Sequence, residues 1–249
     1  MMAGLMLVGV VTTLACREPE MEHPLPQTFA ETVIDPFVDF MKRDKAVLLL
    51  LFVLFFKLGD SFAGSMTGAY YVDLGYSNSQ IAEAAKLVGS FSTLIGLFLG
   101  GLLIYRLGIF TAMLILAVLQ GLSTGSFILL GLIEPRWGAL AAIVGFEDLS
   151  SGMGTAALVA FMTLLANKRY TATQYALLSS LATSGRTFFA GFSGVLTQHL
   201  GYEGLYLIGA ALALPGIVFL LILRPAYADS MQALQGSGED AESQGAGGG

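Results

Sequence analysis

Residues 46–72 read AVLLLLFVLFFKLGDSFAGSMTGAYYV. At 1.5 Å per residue this stretch crosses the ~30 Å hydrocarbon core of a bilayer as one helix. Yet Lys57 and Asp60 stand in its middle. A run apolar enough for lipid, with charge at its centre, reads as a membrane span that faces other protein or water on one side. Working outward, five more runs of this kind follow, at about 79–104, 109–133, 138–166, 171–198 and 203–224. A partial run, 1–15, precedes them; fifteen helical residues reach roughly 22 Å, short of a full crossing.

Composition agrees. The 249 residues are 55% hydrophobic and 12% charged, whereas a soluble domain carries about 25% charged residues. Too little polar surface is left to face water. A soluble enzyme, a nucleic-acid-binding domain and a disordered chain are excluded, and the lipid bilayer is the first partner. At about 20 residues per span, the length fits about half of a typical secondary transporter.

We therefore divide the chain into a partial membrane helix (1–15), a polar central loop (16–45), a six-helix membrane bundle (46–224) and a disordered tail (225–249). The loop holds Thr28-Phe29-Ala30-Glu31, a capping-box pattern, and Asp35-Pro36, an N-cap followed by proline. Phe29, Val33, Phe37 and Phe40-Met41 recur at helical spacing, which predicts an interfacial helix. Gly75 is placed to end one helix, Ser77 and Gln80 to cap the next, and Thr171 to cap another. The tail, ending in Gly-Ala-Gly-Gly-Gly, cannot bury a core and is expected to be disordered. It also holds Asp229, Glu239, Asp240 and Glu242, so much of the net charge of −6 is a tail property.

Orientation follows from the basic residues. Arg17, Lys42, Arg43, Lys45, Arg106, Lys168, Arg169 and Arg224 fall on one side and only Arg136 on the other. That asymmetry places the central loop and the C-terminus in the cytoplasm. The single cysteine, Cys16, excludes an intrachain disulfide and any thiol cluster. It follows Met1–Ala15, but no basic residues precede that run, so a membrane helix is read there rather than a lipoprotein signal. His23 and His199 lie in or beside loops, and no metal-ligand set or nucleophile–base pair is visible. An enzyme, a metal and an organic cofactor are not expected.

Seven charged residues remain inside the spans: Lys57, Lys86, Arg186, Asp60, Glu83, Glu147 and Asp148. Each costs at least ~2.5–3.5 kcal/mol at a helix centre unless paired or hydrated. Depth arithmetic places Lys57, Asp60, Glu147, Asp148 and Arg186 near the midplane, where secondary transporters bind substrate and coupling ions. Lys57 and Asp60, at i and i+3, share a helix face and can pair. Glu147 and Asp148 are adjacent, so they point about 100° apart. One of them can meet Arg186. The other is left to carry a proton, neutral in a dry state and ionised in a wet one. Arg186 alternatively clamps a substrate carboxylate in bidentate fashion. Glu83 and Lys86 read as a structural pair.

Gln120, Gln174, Tyr175, Thr183 and Ser184 add neutral hydrogen-bonding groups able to face a cavity. Gly96-x-x-x-Gly100 and Gly121-x-x-x-Gly125 predict close helix contacts. Ser150-Ser151-Gly152-Met153-Gly154, directly after Glu147-Asp148, predicts a helix weakened or broken near the midplane, and Pro215 a kink in the last span.

Three stretches now carry a resemblance. Phe56-Lys57-Leu58-Gly59-Asp60-Ser61-Phe62-Ala63-Gly64-Ser65, Phe146-Glu147-Asp148-Leu149-Ser150-Ser151-Gly152-Met153-Gly154-Thr155 and Ala172-Thr173-Gln174-Tyr175-Ala176-Leu177-Leu178-Ser179-Ser180 are similar, in this order, to the C-terminal half of the AmpG-type anhydromuropeptide permeases, a branch of the major facilitator superfamily. Arg186 and Pro215-Gly216 match that family's arginine and Pro-Gly. The family usually has Glu-Asn where this chain has Glu147-Asp148. The superfamily loop pattern survives in Gly101–Gly108, but Tyr105 replaces a common aspartate and Ile109-Phe110 replace basic residues.

The resemblance implies an all-α integral membrane protein: the C-terminal six-helix half of a two-half transporter, plus the end of the preceding helix and the central loop. It implies proton-coupled import of muropeptide-like substrates across the inner membrane, driven by the proton gradient and not by a cofactor, with a missing N-terminal half as partner. On that reading Lys57 and Arg186 bind carboxylates, Asp60, Glu147 or Asp148 carry the proton, and Gln120, Gln174 and Tyr175 contact sugar or peptide. A related permease for another solute such as a siderophore, and a non-transporting half that needs a partner chain, are the alternatives.

Overall fold

A computed structural model describes residue 12 and residues 34–166 and 170–225; residues 1–11, 13–33, 167–169 and 226–249 are not described. The partial helix 1–15, the Thr28–Glu31 capping box and the C-terminal tail thus lie wholly or almost wholly outside the described residues. The regular structure among the described residues is all helix. A short helix α1 (Asp35–Met41) carries Asp35 and Pro36 in its first turn and buries Pro36 and Phe40. Lys45, at φ 55°, turns the chain through the left-handed region into α2 (Ala46–Phe56). The first span is α2 followed by α3 (Leu58–Asp73).

After the Gly75 turn (φ 90°), the second span begins with α4 (Asn78–Glu83). Ser77 Oγ accepts from the Gln80 N–H and Gln80 Oε1 accepts from the Ser77 N–H, the capping box expected from sequence. One wide π turn, Ala84–Gly89, connects α4 to α5 (Ser90–Leu107). The third span, α6 (Ile109–Leu132), starts from Gly108 at φ 74°, and the fourth is α7 (Trp137–Leu165). Then come α8 (Thr171–Ala190) and α9 (Ser193–Ala211), followed by α10 over residues 213–225. Thr171 is the first helical residue of α8 and Tyr170 stands at the cap position.

Five helical stretches among the described residues are long and apolar enough to cross a membrane: Ala46–Asp73, Asn78–Leu107, Ile109–Leu132, Trp137–Leu165 and Ser193–Pro225. Thr171–Ala190, rich in Thr, Ser, Gln and Arg, is not among them. The last stretch holds a reversal at Gly201 (φ 70°, ψ 179°). Before it, Ser193 meets Ser65; after it, Tyr202, Tyr206 and Gly209 meet Asp73, Thr67 and Gly59 in turn. The chain therefore runs beside the first span before Gly201 and back along it afterwards. Leu212 interrupts the descending helix one turn before Pro215, which cannot donate to the Ala211 carbonyl.

Small residues set the helix contacts. A Cβ on Gly96 or Gly100 would strike the backbone of Leu149 or Met153, and one on Gly152 the Thr93 carbonyl, so α5 and α7 touch backbone to backbone. Gly121 and Gly125 lie against Ala210 of α9. The glycine spacings thus do the packing expected of them. Gly152→Val should force α5 from α7 and lower stability by about 1–3 kcal/mol. Thermal melting of the purified chain checks this, and an unchanged melting temperature would contradict the contact.

Two sites depart from expectation. Alpha-helix α7 runs unbroken through Ser150–Gly154, because its glycines are used for close approach and its backbone bonds stay internal. The break falls instead in the first span, at Lys57 (φ −112°, ψ 3°). Glu83 and Lys86 are both exposed and form no ion pair among the described residues. The π turn that follows Glu83 and contains Lys86 rotates i and i+3 off a common face.

The interior has three layers. One apolar cluster centres on Phe52, Met113, Leu116 and Phe161. The other is aromatic, with Tyr70, Tyr71, Phe127 and Tyr206. On three helices polar residues lie between these clusters: Lys57 and Asp60 in the first span, Gln120, Ser123 and Thr124 in α6, and Glu147, Asp148, Ser150 and Ser151 in α7. At the end of the bundle beyond the first cluster, the turn after α1 clasps helix ends. Arg43 donates to the Leu165 carbonyl, which closes α7, and to Gln174 Oε1 of α8. Lys45 Nζ donates to the Ile222 carbonyl of α10 at 3.1 Å.

Candidate functional site: a charged layer between two apolar ones

The break at Lys57 begins the site. Gly59 lets α3 start against Gly209 of α9, since any side chain at 59 would strike the Gly209 carbonyl. Lys57 is 3% exposed. Its Nζ donates to Asp60 Oδ2 at 2.8 Å, to the Ser151 carbonyl at 2.9 Å and to Ser151 Oγ at 2.8 Å. All three ammonium protons are therefore committed. Ser151 Oγ donates to Asp60 Oδ2 at 3.0 Å, and Gln120 Nε2 reaches the same oxygen at 3.5 Å. The i, i+3 pair read from sequence is present, and its partners come from α6 and α7.

Glu147, one turn before Ser151 on α7, lays its carboxyl against those of Asp60 and the Ser123 hydroxyl. Glu147 Oε2, Gln120 Oε1 and Ser150 Oγ are buried without a hydrogen-bond partner. Two carboxyls thus face one ammonium across two helices. Beside them is a void of about 10 Å³ lined by Asp60, Gln120, Thr124, Gly59 and Gly209, at the lower limit for one water. Gly154 admits Gln120 here, since a Cβ at 154 would stand 2.9 Å from Oε1 and 3.0 Å from Cδ.

Asp148 diverges from Glu147 as adjacency requires. It lies over Gly89 and against Thr93 of the second span, half-buried. Arg186 meets neither carboxylate. Its Nη1 donates to Ser61 Oγ at 3.4 Å and its Nε to its own helix at Ala182. No carboxylate lies within ion-pair distance of it among the described residues. The expected pairing of Arg186 with Glu147 or Asp148 is not formed, because Glu147 turns to Asp60 and Asp148 to the second span. Thr183 and Ser184 are exposed on the same helix, Ser184 in the lining of the apolar cavity between α1, α2 and α8.

Two other residues sit elsewhere. Gln174 donates to the Pro36 carbonyl at 3.0 Å and to Asp39 Oδ2 at 2.8 Å, holding α1 on α8. Tyr175 packs against the first apolar cluster. Next to them a cavity of about 510 Å³ opens between α1, α2 and α8, lined by Phe37, Phe40, Leu50, Leu178 and Leu181 with Gln174 at its edge. Its lining holds no charged group, so it is distinct from the charged layer. Ser151 and Ser61, which bond Lys57, Asp60 and Arg186, were not among the residues to which the sequence assigned a site role. Among the described residues no group of three His, Cys, Asp or Glu is placed to hold a metal ion.

The Major Facilitator Superfamily model matches residues 1–188. The chain is 37% identical over 225 residues to the anhydromuropeptide permease of Escherichia coli (strain K12), covering 90% of this chain and 46% of the relative. It is 41% identical over 196 residues to a putative transporter, AmpG 4, of Rickettsia conorii, covering 79% and 47%. An uncharacterized protein of Haemophilus influenzae is 31% identical over 232 residues, covering 88% and 55%. The chain spans about half the length of the curated relatives it matches.

Proposed function

Since the chain belongs to the major facilitator superfamily and is a multi-pass membrane protein, we propose that it serves proton-coupled import of anhydromuropeptides across a bacterial inner membrane, its C-terminus in the cytoplasm. It does so as a transporter half and not as an enzyme, with the proton gradient as driving force. The printed name of the Escherichia coli relative supports the substrate class. The observation that carries the coupling is the charged layer: Lys57, Asp60 and Glu147, joined across two helices between two apolar clusters.

The charge balance suggests the mechanism. Lys57 neutralises one carboxylate. One proton held between Asp60 and Glu147 brings the three groups to neutrality, and its release leaves a net negative charge that the low-dielectric interior resists. Protonation therefore favours a dry, closed layer, and deprotonation a wet, open one. Asp148, at the second span, is a reserve proton site. Lys57 and Gln120 act on Asp60 in this state, and substrate carboxylates fall to Arg186. Its guanidinium has no carboxylate partner among the described residues and touches the Ser61 hydroxyl. Gln174 and Tyr175 support α8 from its end.

The test is uptake of labelled anhydromuropeptide by cells expressing the complete open reading frame, with unlabelled siderophore and muropeptide as competitors. Absence of muropeptide uptake would overturn the proposal. A charge-assisted bond contributes ~1.5–3 kcal/mol, so Arg186→Ala should raise KM about ten- to a hundredfold, and Arg186→Lys should raise it less. An unchanged KM in Arg186→Ala would remove Arg186 from the substrate site.

A further inference from the structure

We infer that Ser151 is a positioning residue that fixes which carboxyl holds the Lys57 ammonium, and thereby sets the pH at which transport switches on; this rests on the coupling reading above. Ser151 supplies two of the three acceptors of Lys57, its carbonyl and its hydroxyl, and the same hydroxyl donates to Asp60 Oδ2. The carbonyl is itself held by Thr155 Oγ1 at 2.8 Å. Ser151 therefore aims the ammonium from α7 at a carboxylate on α3. Glu147 stands on the same face of α7 one turn away and competes for that ammonium. Without the hydroxyl, Asp60 loses a donor and Lys57 an acceptor, and the ammonium can swing toward Glu147.

The surrounding charges are few. Asp60 faces Lys57 on its own span, Glu147 and Asp148 on α7, and no titratable group on α6 or α9 in its lining. Arg186 of α8 bonds the adjacent Ser61, and the phenols of Tyr71 and Tyr206 lie one layer outward. None of these replaces a hydroxyl that contacts both members of the ion pair.

The experiment is the pH profile of muropeptide uptake by the complete open reading frame carrying Ser151→Ala, Ser151→Thr or Ser151→Cys. A carboxylate that has lost an O–H donor takes up a proton more readily. Ser151→Ala should therefore move the midpoint about one pH unit toward alkaline, and Ser151→Thr should restore it. A midpoint left in place, or a change confined to the muropeptide KM, would overturn the inference. Should Ser151→Ala fail to accumulate in the membrane, Ser151→Cys decides: its thiol is a weak donor, so its midpoint should shift while that of Ser151→Thr stays. Glu147→Gln, run in parallel, separates the two readings. If it keeps gradient-driven uptake, the coupling reading falls and this inference with it. If it loses that uptake while Ser151→Ala keeps the native midpoint, this inference alone falls.

Discussion

Lys57→Ala is expected to abolish transport and to lower stability by about 3–5 kcal/mol, the cost of leaving one partner of a buried ion pair uncompensated. Lys57 is 3% exposed and holds Asp60, Ser151 and the broken end of α2 together. Removing it strands the Asp60 carboxylate against Glu147 with only Ser151 and the distant Gln120 amide as donors. The informative companion is the double variant Lys57→Met with Asp60→Asn. An uncharged replacement of similar volume is often neutral or stabilising, so melting should return toward native while uptake stays absent. Thermal melting in detergent beside muropeptide uptake reads both. A single variant that melts like the native chain would mean that the pair is hydrated and not buried.

Glu147→Gln should remove gradient-driven accumulation and leave substrate exchange. Gln keeps the shape of Glu147 and still offers a donor to Asp60, so the layer stays in the arrangement reached when a proton is shared. It cannot release that proton. Net uptake against a gradient then stops, whereas exchange of labelled for unlabelled muropeptide across preloaded vesicles continues. Native accumulation by Glu147→Gln would exclude Glu147 as the carrier and overturn the proposal that one proton is held between Asp60 and Glu147.

The first four membrane spans, the Ser77–Gln80 cap, the Gly75 turn and the Lys57–Asp60 pair could all be read from the sequence, because each is a local pattern of hydropathy, capping or i, i+3 spacing. The divergence of Glu147 from Asp148 follows from helix geometry alone. What could not be read is which distant residues meet. Ser151 lies 94 residues from Lys57 and Ser61 lies 125 from Arg186, and no periodicity links such positions. The glycines after Ser150 misled for a physical reason. A glycine inside a helix marks either a break or a close neighbour, and only the neighbours (Thr93 for Gly152, Gln120 for Gly154) tell which. Gln174 lines a cavity, as its sequence suggested, but its hold on α1 through Pro36 and Asp39 could not be read, since those partners are 138 and 135 residues away.

The clasp made by Arg43 and Lys45 has a mechanical consequence. Between them they grip the terminal carbonyls of α7 and α10 and the side of α8, while the same turn enters α2. Tension reaching this turn through α1 is shared among four helices at once instead of peeling one away. The turn behaves as a towing eye on a rigid hull: a pull there swings the bundle whole, and the fragile charged layer inside it is not sheared.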